Sequence, residues 1–244
     1  MLVTGGHPFY GQPLGVLLLP VQSPALPGNV GNAYSFDYPV RYKVMKDISP
    51  DWWVDSEGPS EARFKKFIIA ARELEDEGVK AITVGCGFFG IYQKRAAEVL
   101  RVPIFTSPLM MVPLVHQMLG GKQIGILTIK ATDLNDQLFE AVGITPDIPV
   151  VIGELGDAPE FNSVYVKGNK SYLDLAQFEA EVVAAARRMQ TANPGLGAVV
   201  FEFRTICPFA SAVSNATELP VFDLMALADF VHHAAVPPIY QGRV

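Results

Sequence analysis

One segment of the sequence recurs 117 residues further along the chain. Residues 81–86 (AITVGC) correspond to residues 198–203 (AVVFEF), and at the same offset residues 102–105 (VPIF) correspond to residues 219–222 (LPVF). No gap is needed between the matched pairs, so both copies keep the same spacing between their apolar runs. A chain that carries two copies of one unit is expected to fold into two similar halves.

Apolar runs and helical patterns alternate along the chain, which predicts an α/β protein. Most apolar runs are continuous, as in parallel strands that are covered on both faces. We therefore expect two pseudosymmetric α/β domains with mainly parallel sheets and an active-site cleft between them. The expected division is residues 1–107 plus 219–244 for the first domain and 108–218 for the second. The runs that read as strands are residues 15–21, 81–84, 103–105, 124–128, 150–152, 198–203 and 220–222. The patterns that read as helices are residues 60–77, 91–100, 109–119, 133–142, 173–190, 208–217 and 224–234.

Composition narrows the class of protein. Half of the 244 residues are apolar, which is enough for a sizeable core, and the net charge of −6 lacks the basic footprint of a nucleic-acid binder. The start of the sequence shows neither a signal peptide nor a membrane-spanning run. The two cysteines, Cys86 and Cys207, are too few for a disulfide scaffold and are expected to be reduced. We expect a cytoplasmic protein that binds neither nucleic acid nor membranes.

A long segment between the first two predicted elements lacks a helical pattern. Residues 23–59 are rich in proline, glycine, asparagine and tyrosine, and loops of this length are often functional. The aromatic pair Trp52-Trp53 in this segment suggests a cover for the cleft or a subunit contact, and thus a possible homo-oligomer.

Cys86 ends a strand-like run and is flanked by Gly85 and Gly87. Glycines let the chain turn sharply and let a ligand approach closely, and a following helix start favours a thiolate and binds carboxylates through its amides. Ligands of open α/β sheets bind beyond the carboxyl ends of the strands, where residues 85–90 and 203–207 are both expected. The alternative is a packed core cysteine.

Cys207 precedes Pro208, which suits the first position of a helix, so its sulfur is expected near a helix N-terminus. Two thiols on facing loops would form a pair for two-base proton transfer at an acidic carbon. Such chemistry needs no metal or organic cofactor, and the sequence holds no glycine fingerprint, phosphate loop or His/Cys cluster that would supply one.

The sequence resembles the aspartate/glutamate/hydantoin racemase superfamily, which also holds maleate isomerase, arylmalonate decarboxylase and an algal dimethylsulfoniopropionate lyase. The matching stretches lie at residues 27–32 (PGNVGN), 36–44 (FDYPVRYKV), 81–88 (AITVGCGF), 125–128 (GILT) and 219–223 (LPVFD). The resemblance implies Cys86 as the first catalytic cysteine, with the amides of Gly87 and Phe88 binding the substrate carboxylate.

The second cysteine of the superfamily ends the strand of the second half, where this chain has Phe203 followed by Arg204 and Thr205. The repeat gives the same result, because the offset of 117 pairs Cys86 with Phe203 and Cys207 with Gly90. Either the loop brings Cys207 into the cleft as a second catalytic thiol, or the site has one thiol. In a one-thiol site Arg204 would hold a carboxylate, unless it is a solvated loop residue.

Several further side chains are candidates for contact with a small carboxylate substrate. They are Asn32 and Tyr42 in the long N-terminal segment, Thr128 at a predicted strand end, and Thr205. Glu202, one residue before the expected second cysteine, is either an acid/base group or a residue that points into a polar pocket.

Three functions remain open on the sequence alone. The first is a cofactor-independent racemase or epimerase that moves a proton at the carbon next to a carboxylate. The second is a one-thiol decarboxylase or lyase, which the phenylalanine at the second cysteine position favours. The third is a non-catalytic protein that binds a small acid.

Overall fold

A computed structural model describes residues 2, 4–8, 10–49 and 59–242 of the chain. The predicted Trp52-Trp53 contact lies outside the described residues. The described residues form two four-stranded sheets in which every strand pairing is parallel. The first sheet has the order β2-β1-β3-β4, with β1 (Leu14–Leu18), β2 (Val40–Val44), β3 (Ala81–Val84) and β4 (Ile104–Phe105). The second has the order β6-β5-β7-β8, with β5 (Gln123–Thr128), β6 (Val150–Glu154), β7 (Leu196–Phe201) and β8 (Val221–Phe222).

Helices connect the strands, and several begin with a short turn of 3-10 helix. The turns Gly87–Tyr92, Pro108–Met111 and Arg204–Phe209 lead into the second, third and seventh α-helices. The α-helices are α1 (Glu61–Asp76), α2 (Gln93–Val99), α3 (Val112–Met118), α4 (Asp136–Val142), α5 (Pro159–Phe161), α6 (Leu175–Ala192), α7 (Ala210–Thr217) and α8 (Leu224–Ala235).

Local sequence sets the ends of the long helices. Ser60 caps α1 by accepting a hydrogen bond from the Arg63 amide at 3.3 Å, and Gly78 follows the helix with a φ of +96°. Asp174 caps α6 in the same way. These caps satisfy amides that the first helical turn leaves unpaired, and the glycine takes up the left-handed conformation that ends a helix.

The predicted repeat is present in the backbone. Ala81 pairs with Leu14 in the first sheet, and Ala198, which is 117 residues later, pairs with Ile124 in the second. Beyond the last paired strand residues, the Gly85 amide donates to the Leu17 carbonyl oxygen at 2.8 Å. The Glu202 amide donates to the Leu127 carbonyl oxygen at 3.0 Å in the equivalent place. The two-half α/β architecture is therefore confirmed.

The central strands are buried, as their continuous apolar runs predicted. All residues of β3 and β7 are buried, and one hydrophobic cluster joins residues of both sheets, including Leu14 and Ile124. A second cluster lies around α6 and the end of β7. The shared cluster fixes the first half against the second, so that loops from both halves contact one another.

Two expectations need correction at the level of single strands. The strand β2 lies inside the segment that the sequence predicted to be a loop. Its alternating VRYKV residues are half-exposed at a sheet edge, so they lack the continuous apolar run by which the other strands were predicted. The strand β8 pairs with β7 in the second sheet, although the expected boundary at residue 219 gave it to the first domain. The division into domains otherwise stays a prediction.

The length and apolarity of a helix determine whether it could cross a membrane. Within the described part of the chain, no helix combines the length and apolarity needed to cross a bilayer.

Candidate active site

Cys86 lies directly before the turn Gly87–Tyr92, just past the end of β3. Its backbone is extended, with φ −155° and ψ 115°, and its carbonyl oxygen accepts a hydrogen bond from the Phe89 amide at 3.1 Å. The residue is partly exposed, and neither it nor Cys207 is in a disulfide. The sulfur is therefore carried by a sharp turn at the carboxyl end of the first sheet.

Arg204 crosses from the second half to the turn of the first. A Cβ on Gly85 would lie 3.1 Å from its Cδ, and a Cβ on Gly31 would overlap its Nη1. Its Nη1 donates to Asn29 Oδ1 at 3.1 Å. Burial lowers the pKa of Arg204, and the nearby Cys86 and Cys207 sulfurs oppose this shift. Glycines at both places thus make room for a guanidinium beside Cys86.

A cavity of about 270 Å³ opens beside Arg204. The chain that follows β1 forms most of its wall, together with Gly31 and Val44. The volume suits a small molecule, and the guanidinium at its edge suits an anion such as a carboxylate.

Glu202 is fully buried on the other side of the turn. A Cβ on Gly87 would overlap both the carbonyl oxygen and Oε1 of Glu202. Thr128 Oγ1 donates to Glu202 Oε2 at 3.1 Å, whereas Oε1 has no hydrogen-bond partner. Burial raises the pKa of Glu202 to about 8. The carboxyl is therefore a neutral acid near pH 7.

The second half has no thiol in the place equivalent to Cys86. Phe203 occupies it, is buried, and packs against Phe161 with ring centroids 5.6 Å apart. Cys207 lies one turn later and is buried, with its Sγ 3.8 Å from the Phe203 carbonyl oxygen. Burial and the Asp223 carboxylate raise the pKa of Cys207 well above the ordinary thiol value.

The other predicted site residues are held by the protein in different ways. Tyr42 donates to the Val30 carbonyl oxygen at 3.0 Å, and burial raises its pKa to about 12. Asn32 donates to the Ala25 carbonyl oxygen and accepts from the Tyr34 amide, so its amide group holds the loop. Phe88 is buried in its turn, and Thr205 is partly buried in the turn Arg204–Phe209. Their contacts with substrate stay predictions.

Two larger cavities lie elsewhere. One, of about 480 Å³, is at the amino ends of the first sheet, where the ring of Tyr38 stacks on that of His232 at 3.4 Å. The other, of about 570 Å³, lies along α6. None of the three cavities is lined by a cysteine. The smaller one lies at the carboxyl ends of the strands and is lined by Arg204, whose charge interacts with Cys86, so it is the candidate for catalysis. No group of three metal-ligating side chains occurs among residues 2, 4–8, 10–49 and 59–242.

Solved structures with this fold include a decarboxylase and racemases. A mutant of arylmalonate decarboxylase aligns with a TM-score of 0.64 at 17% identity, over 92% of this chain and 94% of that one. Allantoin racemase from Klebsiella pneumoniae gives 0.62 at 16% identity, over 91% and 86%. Glutamate racemase from Francisella tularensis gives 0.55 at 17%, over 92% and 80%. These similarities concern the fold.

Sequence comparison finds lyases. The chain is 32% identical over 225 residues to the dimethylsulfoniopropionate lyase of Durusdinium, covering 89% of this chain and 73% of that protein. It belongs to the family of these lyases. Lyase 3 of Emiliania huxleyi is 31% identical over 233 residues, which is 91% of this chain but only 58% of that protein. No protein-family model matches the sequence.

Two residues at the candidate site, Asn29 and Glu202, were not predicted as site residues from the sequence. The stretch PGNVGN contains two asparagines: the sequence predicts Asn32 as a site residue, whereas Asn29 is the one that contacts Arg204. For Glu202 the sequence allows either an acid/base group or a residue in a polar pocket, and the structure shows it buried against Gly87. In both cases the partner comes from the other half of the chain, so no local pattern identifies it. The glycines that face these side chains are the only local signal.

Proposed function

We propose that the protein is a cofactor-independent lyase with Cys86 as its base, acting on a small carboxylate that carries a leaving group on the β-carbon. The asymmetry between the two strand ends carries this proposal: one end has Cys86 and the other has Phe203. The names of the curated relatives make dimethylsulfoniopropionate the first substrate to test. An elimination from such an acid requires one base, which is what this site offers.

The proposed step is an elimination in which atoms and electrons balance. The Cys86 thiolate removes a proton from the α-carbon, and the electron pair of that C–H bond forms a double bond between the α- and β-carbons. The bond from the β-carbon to sulfur breaks, and dimethyl sulfide leaves with the bonding pair. Acrylate is the second product, and Cys86 returns its proton to solvent. A positioned base of this kind contributes about 10²- to 10⁴-fold to a rate.

Arg204 supports this chemistry in two ways. A guanidinium binds a carboxylate through two parallel hydrogen bonds, and it offsets the negative charge that develops on the carboxylate as the α-proton leaves. A cation near a sulfur also favours the thiolate, which is the reactive form of cysteine. The arginine contacts Asn29, an uncharged partner, so its positive charge is not cancelled by that contact.

The burial of the second thiol distinguishes this proposal from a racemase, which the sequence analysis placed first. Racemisation by two bases needs an acid on the face opposite the first base. Cys207 is buried, and burial together with the neighbouring Asp223 carboxylate raises the pKa of its thiol, which keeps it protonated. We therefore rank the lyase above the racemase and retain Cys207 as a catalytic residue only for the two-base alternative.

The test is whether the purified chain releases dimethyl sulfide and acrylate from dimethylsulfoniopropionate. Gas chromatography measures the dimethyl sulfide, and ultraviolet absorbance measures the acrylate. Replacement Cys86→Ala is expected to lower kcat by at least about 100-fold. Cys207→Ala is the matched thiol control and is expected to retain activity. Equal loss in both variants, or inversion of a chiral acid with uptake of solvent deuterium, would support the racemase instead.

A binding protein without catalysis would give a third pattern. Acrylate or propionate would bind, no product would form from any acid, and Cys86→Ala would leave the dissociation constant unchanged.

A further inference from the structure

The side chain of Glu202 reaches across the boundary between the two halves. It belongs to the segment that follows β7, yet its Oε1 and its carbonyl oxygen both lie against Gly87 in the turn that follows β3. Only glycine fits there, because any Cβ would overlap both oxygens. The two residues are thus packed as a pair, one from each half.

The surroundings of Glu202 do not suit a negative charge. Its relative exposure is 0%, Oε1 has no hydrogen-bond partner, and Thr128 provides one hydrogen bond, to Oε2. None of the ion pairs among the described residues involves it. A buried carboxylate with one donor and no cation is far less stable than the protonated acid.

Burial and one neighbouring carboxylate outweigh the single hydrogen bond that favours the ionised form of Glu202. Burial is the main cause that raises the pKa of Glu202, the Asp133 carboxylate ahead of α4 raises it further, and the Thr128 hydrogen bond lowers it. Cys86 adjoins the contacted glycine, and Arg204 follows two residues later but points to Asn29.

We propose that Glu202 is a positioning residue that supports the Cys86–Gly87 turn as a neutral acid. Its proton keeps negative charge away from the amides that are expected to bind the substrate carboxylate. When Glu202 ionises, the charge repels that carboxylate and the turn must move to hydrate the side chain. This inference rests on the proposed function, because it concerns the turn that carries the proposed base.

The first test measures stability and does not depend on activity. Thermal unfolding of the wild type and of Glu202→Gln is compared from pH 5 to pH 9. Glutamate is ionised in the unfolded chain but protonated in the folded one, so the wild type loses stability as the pH rises between these two pKa values. Glutamine does not titrate. The Tm of Glu202→Gln relative to the wild type is therefore expected to rise by about 5 to 10 °C between pH 5 and pH 8 and to level off above it.

The second test measures activity. Wild-type kcat/KM is expected to fall about tenfold per pH unit above pH 8, and Glu202→Gln is expected to keep its activity there, because its amide preserves shape and neutrality. A Tm difference that stays constant with pH would overturn the proposal. A folded Glu202→Gln variant that is inactive at every pH would also overturn it, since the Glu202 proton would then take part in the reaction itself.

Two further variants keep the inference testable if Glu202→Gln does not fold. Thr128→Val removes the hydrogen bond that stabilises the ionised form, so the alkaline fall is expected to move to higher pH. Asp133→Asn removes a negative charge, so the fall is expected to move to lower pH. Shifts in the same direction would contradict the proposal. Failure of the Cys86→Ala test would instead overturn the proposed function and leave the stability result standing.

Discussion

The turn after β3 and the turn after β7 have similar backbones but carry different side chains. The amides of Gly85 and Glu202 make equivalent hydrogen bonds to the neighbouring strand of their own sheet, which is β1 in the first half and β5 in the second. The next residue is Cys86 in one half and Phe203 in the other, and only the cysteine is partly exposed. A repeated backbone therefore does not imply a repeated function, because side chains can change once hydrogen bonds hold the frame.

The larger side chains of the second turn serve the first. Arg204 fits against Gly85, and Glu202 fits against Gly87, so two glycines on either side of Cys86 receive two polar side chains from the other half. The first half presents the thiol, and the second half surrounds it with one cation and one buried acid. Phe203 and Cys207, in contrast, are buried in the hydrophobic core. Three substitutions test whether the two halves differ in this way.

The largest effect is expected from Phe203→Cys, which restores the sulfur that the repeat would place there. Removal of a buried ring that packs on Phe161 is expected to lower the free energy of unfolding by about 3 kcal/mol. Chemical denaturation measures this. Phe230→Cys is the matched control, because Phe230 is 66% exposed and its loss should change stability by less than about 0.5 kcal/mol. If both variants were equally stable, Phe203 would not be part of the core and the asymmetry would lose its structural basis.

The next effect concerns binding through Arg204. Arg204→Met keeps much of the side-chain length but removes the guanidinium, and the dissociation constant for propionate, measured by calorimetry, is expected to rise about 10- to 100-fold. Arg204→Lys is expected to recover only part of the affinity, because an ammonium lacks the planar fork.

Arg187→Met controls for the loss of one positive charge, since Arg187 is exposed on α6. Unchanged affinity in Arg204→Met would mean that the carboxylate is held elsewhere, with the amides of Gly87 and Phe88 as the remaining candidates.

The two turns also show what sequence can reveal. Apolar runs and the repeat predicted seven of the strands and the parallel sheets, because burial on both faces forces continuous apolar sequences. The edge strand β2 escaped detection, since Arg41 and Lys43 alternate with apolar residues on a half-exposed edge. Contacts between the halves, such as Arg204 with Asn29, could not be predicted because they join residues 175 positions apart. The position of Cys86 could be predicted, because glycines mark it locally.

The smallest expected effect is that of Cys207→Ala, and it separates the two thiols most directly. Cys207 is 4% exposed, so loss of its sulfur leaves a small cavity and is expected to cost about 1 kcal/mol of stability. The kcat of the Cys207→Ala variant is expected to stay within about twofold of the wild type, because a buried and protonated thiol beside Asp223 is a poor base. Cys86→Ala should show the reverse, with stability kept and activity lost. A tenfold or larger fall in kcat for Cys207→Ala at unchanged Tm would mean that both thiols exchange protons with the substrate. The two halves would then share the chemistry, despite the phenylalanine at position 203.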